Sequence, residues 1–360
     1  MIRQQIYKFT DKIPYLWNMK EWLLGKTPDQ LRRITATQDL PSYSADQIAR
    51  WIYGKGVRDI WQMTDLSKTA REKLAENYQV GGFDPLQVQV SSDGTRKYFF
   101  PTSAGARGGV EAVMIPEGER TTLCVSSQSG CKLGCTFCMT GRMGFLENLT
   151  AGQIVEQFLR IEEREHLTNI VYMGMGEPLD NWDQVLCSLR ILTSDWGFAW
   201  SPRRITVSTS GILPVLDDFM EKTQVHLAIS LHNPFDAERE QIMPVQKVYP
   251  VSKVIQKIRQ YDFSGQRRLS FEYILFDGWN DTLRHAAALL QLLRGLECRV
   301  NLIRFHAIPD FPMRPSGEEA VNAFMTRLNK AGLTATVRAS RGQDILAACG
   351  LLSVQNNKKS

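Results

Sequence analysis

From residue 121 onward, apolar positions fall into short runs separated by longer periodic stretches. The runs are TTLCVSS (121–127), NIVYMGM (169–175), RITVSTS (204–210), VHLAISL (225–231), LSFEYILF (269–276), RVNLIRF (299–305) and TATVRAS (334–340). Each has the length and β-branched content of a buried strand. Between them lie AGQIVEQFLRIEERE, NWDQVLCSLRILTS, GILPVLDDFMEK, VSKVIQKIRQY, TLRHAAALLQLLRGL and GEEAVNAFMTRLNKAG. Their apolar residues recur at helical spacing. Alternating strand and helix predicts an α/β fold with a parallel sheet. About six units predict a partial (β/α)6 TIM-like barrel rather than a full eightfold one.

Upstream the pattern differs. Residues 21 to about 80 read as helical. SADQIARWIYGKG has Ser44 and Gln47 in capping-box spacing, with Ile48, Trp51 and Ile52 on one face. DLSKTAREKLAENY places Leu66, Ala70, Leu74 and Tyr78 on one stripe. LQVQVSSDGTRKYFF alternates, turns at Asp93-Gly94 and resumes, which predicts a β-hairpin, and GGVEAVMIPEG reads as a further strand. The predicted organisation is a small helical accessory domain over 1–82, a β connector over 83–118, the barrel over 119–350 and a polar tail over 351–360, frayed at SVQNNKKS.

Barrels of this kind carry their chemistry at the C-terminal ends of the strands. There the sequence gathers unusual polar groups: a cysteine loop, Gly176-Glu177-Pro178, Ser208-Thr209-Ser210, Ser230-Leu231-His232, His306, and Arg338 through Arg341 followed by Cys349.

Composition narrows the class. The 360 residues are 43% hydrophobic and 22% charged, ordinary values for a globular chain. No apolar run approaches the roughly 20 residues of a membrane span. The first residues lack a signal-peptide core, so a cytoplasmic location with no membrane is expected. Seven cysteines, unevenly spread, fit a reducing compartment with metal-binding or catalytic thiols better than a disulfide scaffold. The net charge of +5 permits a nucleic-acid partner without requiring one. Lys26, Arg32, Arg33, Arg50, Lys55, Arg58, Lys68 and Arg71 form either a solvated helical surface or one that meets phosphates.

The stretch GCKLGCTFCMTGRMGF holds Cys131, Cys135 and Cys138 within eight positions, and no fourth thiol follows nearby. Structural zinc favours cysteine pairs supplied twice. A three-thiolate loop suits a cubane [4Fe-4S] cluster with one iron open to an outside ligand. A zinc site completed by a distant residue, or unrelated buried thiols, remain alternatives from spacing alone.

CKLGCTFC resembles the signature of radical S-adenosylmethionine (SAM) enzymes, in which SAM chelates the open iron. TLCVSSQSGCKLGCTFCMTGRMGFLENLT, VYMGMGEPLDN, ITVSTSG, AISLH and SRGQDILAACG together resemble the RlmN/Cfr family of radical SAM RNA adenosine methyltransferases, over nearly the whole chain. Gly176-Glu177-Pro178 and CVSSQ look like the RlmN branch, which methylates adenine C2. The resemblance implies that Cys131, Cys135 and Cys138 hold one [4Fe-4S] cluster and that two SAM are used per turnover. It implies that Cys349 takes a methyl group, which then attacks the adenine as a carbon radical to give a covalent RNA–protein adduct. Cys124 would resolve that adduct, leaving a disulfide, with Glu111 as proton acceptor. Gly176, Glu177, Ser208, Ser230, Leu231, His232 and His306 match positions that contact SAM. Cys187 and Cys298 match no motif and read as core residues.

Two positions depart from the family's pattern: His306 stands where asparagine is common, and Met139 where serine or alanine is. The implied substrates are 23S rRNA, at its peptidyl-transferase adenine, and an adenine next to the anticodon of tRNA. The target base is expected to flip out of its stack. Phosphate contacts are expected from the N-terminal helices and from Ser201-Pro202-Arg203-Arg204. A reduced flavodoxin or ferredoxin-type electron donor and a monomeric state are further expectations. A C8-directed methyltransferase of the Cfr type and a non-catalytic iron–sulfur RNA-binding factor are the competing readings.

Overall fold

A computed structural model describes residues 20–103 and 108–353. The expectations for the first 19 residues and for the tail from residue 354 lie outside the described residues. One ten-stranded sheet organises the chain. Its strands are β1 (Gln87–Val90), β2 (Arg96–Pro101), β3 (Gly109–Glu117), β4 (Arg120–Cys124), β5 (Asn169–Tyr172), β6 (Ile205–Thr209), β7 (His226–Ser230), β8 (Leu269–Leu275), β9 (Arg299–Arg304) and β10 (Ala335–Val337).

From β4 to β10 neighbouring strands pair in parallel and in chain order. A helix follows each of the first six of these strands: Ala151–Leu159, Trp182–Thr193, Leu213–Lys222, Val251–Ile258, Leu283–Leu293 and Glu318–Lys330. These are the predicted six units, and the sheet is open because β10 pairs only with β9. Pairing ends one to three residues before the apolar runs do, where the backbone leaves the ladder to build loops.

Successive strand residues face opposite sides of a sheet. Ile205 and Val207, Leu227 and Ile229, Phe271 and Tyr273, and Val300 and Leu302 are buried together with Val185, Phe219, Val254, Leu289 and Phe324 of the helices. Truncating one such aromatic, for example Phe271, to alanine costs about 3–5 kcal/mol by lost transfer energy and cavity formation.

The predicted hairpin is present, with Gly94 at positive φ in its turn. The β3 strand joins β4 antiparallel, so the connector segment continues the barrel sheet at its β4 edge.

The N-terminal helices Pro28–Thr37, Ser44–Ala49 and Lys68–Asn77, with the helical turn Arg50–Gly54, bury Leu31, Ile48, Leu74 and Ile52 in a cluster of their own. Val155 and Ile191 of the barrel helices complete that cluster. The Ser44 capping box does not form: Ser44 is the first helical residue, and the helix entrance at Tyr43 has no side-chain cap. Gln47 instead donates to the Asp65 carbonyl at 3.1 Å. A reciprocal box forms one helix earlier, between Thr27 and Gln30.

Candidate active site

The cysteine loop leaves the strand Gln128–Gly130 and ends in the short helix Met139–Met143. Gly130 has φ +75°, and a Cβ there would lie 1.8 Å from the Gly144 carbonyl oxygen, so the loop can close only on glycine. Cys131, Cys135, Phe137 and Cys138 line one cavity together with Glu177 and His232. Burial pushes the Cys131 thiol up to about 12, and the Cys138 thiol adds to it. Cys135 is raised by burial and then by Cys138 and Cys131. As thiolates the three would destabilise one another unless a cationic centre stood among them. Among the described residues no three His, Cys, Asp or Glu converge tightly enough for a single metal ion. Three thiols lining one cavity are a donor set that fits a cubane cluster with one open iron.

The strand ends around the loop are fixed by buried polar contacts. Gly176 has φ +97°, and a Cβ there would lie 2.5 Å from the Gln128 Cβ. The Gln128 amide oxygen accepts from the Glu177 N–H at 2.8 Å, while its nitrogen donates to Asp180 Oδ2 at 2.7 Å. The buried Glu177 carboxylate accepts from the Leu179 and Ser210 N–H groups at 3.1 and 2.8 Å. Burial raises its pKa against these hydrogen bonds. Ser208 and Ser230 face the same cavity, with hydroxyl oxygens 3.5 Å apart.

His232 adopts φ +59° and accepts from the Ile274 N–H at Nδ1, 3.2 Å away. Its ring meets Phe137 edge-on at 5.1 Å. Burial, and then the Arg239 charge, pushes its pKa down to about 3, so the imidazole is neutral.

Leu231 and His306, also expected to contact SAM, do not line this cavity. Leu231 is fully buried in the main core cluster, and its carbonyl accepts from Arg239 Nε at 3.0 Å. His306 lines an adjoining larger cavity, its Nε2 3.0 Å from Ser340 Oγ.

That larger cavity, about 520 Å³, is the barrel lumen. Cys138, Met173, Arg338 and Cys349 line both cavities, so the boundary between them runs past the Cys349 thiol. Cys124, at the end of β4, faces the lumen. Its thiol is pushed up to about 12, by burial first and then by Cys349. Cys349 is solvent-accessible, yet protein surrounds it within the recess: burial raises its pKa, and the Arg338 guanidinium opposes the rise. Cys124 and Cys349 are therefore neighbours across 225 residues of sequence, both free thiols like the other five cysteines.

The segment carrying Cys349 is held from both sides. The Met139 N–H donates to the Gly350 carbonyl at 2.8 Å, and the Thr140 hydroxyl to that of Leu352 at 2.6 Å. From the hairpin turn, Asp93 accepts from the Gly342 N–H at 2.9 Å, and Ser91 donates to Asp344 at 2.5 Å.

Glu111, the expected proton acceptor, belongs to this clamp and lines neither cavity. Its carboxylate pairs with Lys97 Nζ at 3.0 Å and accepts from the Ser353 N–H at 3.0 Å. Burial raises its pKa and Lys97 opposes that.

Arg338 was gathered with the strand-end polar groups without a role, and Glu272 and Arg239 escaped the sequence reading. Arg338 pairs with Glu272 at 3.5 Å and reaches the Met173 sulfur at 3.3 Å. Glu272 does most to hold its charge, against burial, and the Cys349 and Cys124 thiols add to it. Arg239, fully buried, donates to the Ser210, Ser230 and Leu231 carbonyls at 3.2, 3.0 and 3.0 Å, tying the ends of β6 and β7 together. Nothing in DAEREQI marks that arginine as different from its neighbours. Cys187 and Cys298 are half-buried and pack against the core clusters.

The architecture and this constellation have close counterparts. The family model for the radical SAM superfamily matches residues 125–290, and that for the ribosomal RNA large subunit methyltransferase N-terminal domain matches residues 22–80. A protein of Porphyromonas gingivalis named "Probable dual-specificity RNA methyltransferase RlmN" is 50% identical over 94% of this chain and 98% of its own. The chain belongs to the RlmN family. A Syntrophus aciditrophicus member, "Dual-specificity RNA methyltransferase RlmN", is 44% identical over 86% of this chain and 90% of its own. The crystal structure of a radical SAM methyltransferase from Sphaerobacter thermophilus superposes with a TM-score of 0.85 at 42% identity, covering 92% of this chain and 99% of that one. As an RlmN-family protein the chain is an RNA methyltransferase of the radical SAM superfamily, a class that implies SAM and an iron–sulfur cluster. No helix among the described residues is long and apolar enough to cross a membrane.

Proposed function

We propose that this enzyme methylates C2 of the peptidyl-transferase adenine of 23S rRNA and of an adenine next to the anticodon of tRNA, with Cys349 as methyl carrier and two SAM consumed per turnover. Adenine C2 is electron-poor, so an ordinary methyl cation donor is the wrong reagent. A [4Fe-4S] cluster on Cys131, Cys135 and Cys138, with SAM on its open iron, would supply the radical chemistry. Glu177, Ser208, Ser230 and the neutral His232 would orient SAM, with the Glu177 carboxylate placed to accept from its ammonium group.

The observation that carries the reading is the position of Cys349, between the cavity of the three cluster thiols and the lumen that holds Cys124. A sulfur there can face SAM on one side and a base on the other. After the methylene carbon has joined Cys349 to the base, Cys124 would attack the Cys349 sulfur. With the C2 hydrogen lost as a proton, the Cys124–Cys349 disulfide would form as the sulfur–carbon bond breaks, and the methylene carbon would keep that bond's electron pair and take up a proton, so that the methylated base departs. Arg338, beside both thiols, favours their anionic forms.

The test is the mass of the peptide containing Cys349, taken from protein loaded with its cluster and incubated with SAM and reductant. A methyl group on that sulfur is expected. An unmodified thiol would overturn the carrier role.

A further inference from the structure

The lumen runs the full length of the strands. Its walls read Arg120, Thr122, Cys124 on β4, then Arg268 and Ser270 leading to Glu272 on β8, and Arg299, Asn301, Ile303 on β9. These are alternate residues, the set that faces one side of a sheet. The interiors of closed eightfold barrels are packed with Val, Ile and Leu. Here the middle rows are Thr122, Thr206, Ser270, Asn301 and Thr336, and the space is open.

At the N-terminal ends of the strands, opposite the cysteine loop, the lumen is ringed by Arg120, Arg203, Arg268 and Arg299. All four are exposed. None forms an ion pair among the described residues, and Glu117 is the only carboxylate lining that mouth. Two of the arginines are set by one histidine. His226 Nδ1 accepts from the Arg268 N–H at 2.9 Å, and its ring also hydrogen-bonds the Arg203 backbone. In the N-terminal helices Lys26, Arg32, Arg50, Arg58 and Lys68 are each paired with a carboxylate, Lys55 lies over the Trp51 ring, Arg71 donates to the Trp61 carbonyl, and Arg33 is exposed without an ion pair among the described residues.

We infer that the RNA docks on this N-terminal mouth. The four arginines hold phosphates flanking the target, and the flipped nucleotide reaches Cys349 through the polar lumen. From Arg268 to Glu272, the partner of Arg338, the strand rises four residues, about 13 Å at about 3.3 Å each. One splayed nucleotide, met by an arginine side chain, covers that distance. Guanidinium groups match phosphate geometry, and the Ser, Thr and Asn rows offer hydrogen bonds to a base. A protein electron donor would use the charge but has no need of the lumen. The inference rests on the proposed RNA chemistry and adds the face and route by which the substrate enters.

The experiment compares the intact enzyme with an Arg268→Gln/Arg299→Gln double variant. The probe is a 23S rRNA transcript spanning the peptidyl-transferase centre, bound over a range of salt concentrations. Removing two phosphate contacts is expected to weaken binding and to flatten the plot of log Kobs against log salt by about 1.4, at about 0.7 per contact to single-stranded RNA. Methylation of Cys349, which involves no RNA, is expected to persist in the variant. An unchanged affinity and slope would overturn the assignment. So would a fall in slope confined to an Arg58→Gln/Arg71→Gln comparison variant, or slower reduction by flavodoxin with RNA binding intact. An unmethylated Cys349 in the unsubstituted protein would count against the carrier role, while the salt slope would still decide the docking face.

Discussion

Lys97→Met isolates the buried pair behind the Cys349 segment. Lys97 and Glu111 are 3.0 Å apart, and each side chain is only 9% exposed. At an effective dielectric of about 20 their attraction is about 5–6 kcal/mol, offset in large part by desolvation of both ions. Removing the lysine alone forfeits the attraction and leaves the desolvation cost of the carboxylate. Such broken buried pairs lose about 3–5 kcal/mol. The Glu111 pKa, already raised by burial with Lys97 opposing, would then rise further.

The pH dependence follows from that shift. A carboxyl whose folded pKa exceeds its unfolded value binds its proton more tightly when folded. The variant should therefore lie nearest the parent at low pH. It should lose ground as pH climbs from the ordinary carboxylate range through the raised value, by no more than about 1.4 kcal/mol per pH unit. Urea unfolding at pH 5.5 and pH 8, followed by tryptophan fluorescence, measures this. Lys97→Met/Glu111→Leu should recover most of the loss. A deficit below about 1 kcal/mol, or one equal at both pH values, would refute the account of the pair.

Gly176→Ala should cost at least about 3 kcal/mol and abolish SAM binding measured by calorimetry, because the added Cβ meets Gln128 at 2.5 Å with φ at +97°. Arg239→Met should destabilise by about 3 kcal/mol in chemical unfolding, since it strips donors from three buried carbonyls and from the Gln246 side chain. Cys124→Ala should accumulate an RNA–protein adduct that survives denaturing electrophoresis; normal turnover by that variant would remove Cys124 from the resolving role.

The barrel was legible because its strands and helices carry different periods. Phe271 and Tyr273 must face the helices whatever the loops do, so the runs announce the sheet. The three cysteines and Gly176-Glu177-Pro178 were legible through their spacing in a recognisable block. Arg239 and Glu272 were not, and Arg338 showed only its place at a strand end, not its partners. Each is a common charged residue whose meaning depends on contacts made across the barrel, and no local period records those. Ser44 misled for a related reason. Its capping-box spacing is a local preference, and burial of Ser44 within the N-terminal helical layer prevailed over it.

The antiparallel strands β1–β3 also acquire a reason to be part of the sheet. A connector need only span a gap, but this one reaches the far end of the chain at several points: Asp93 to Gly342, Ser91 to Asp344, Lys97 to Leu346 and Glu111 to Ser353. Together with the helix after Cys138, these contacts bracket Cys349 before and after it in sequence. Pairing β3 with β4 then ties the register of that bracket to the strand that ends in Cys124. In the proposed carrier role the Cys349 sulfur would meet two reaction partners in turn, and a loop fixed at both flanks with Cys349 between them can present its sulfur to either cavity. On this argument the antiparallel strands would serve the proposed chemistry by positioning the Cys349 segment, although of their residues only Ile115 and Glu117 line a cavity, on the lumen side.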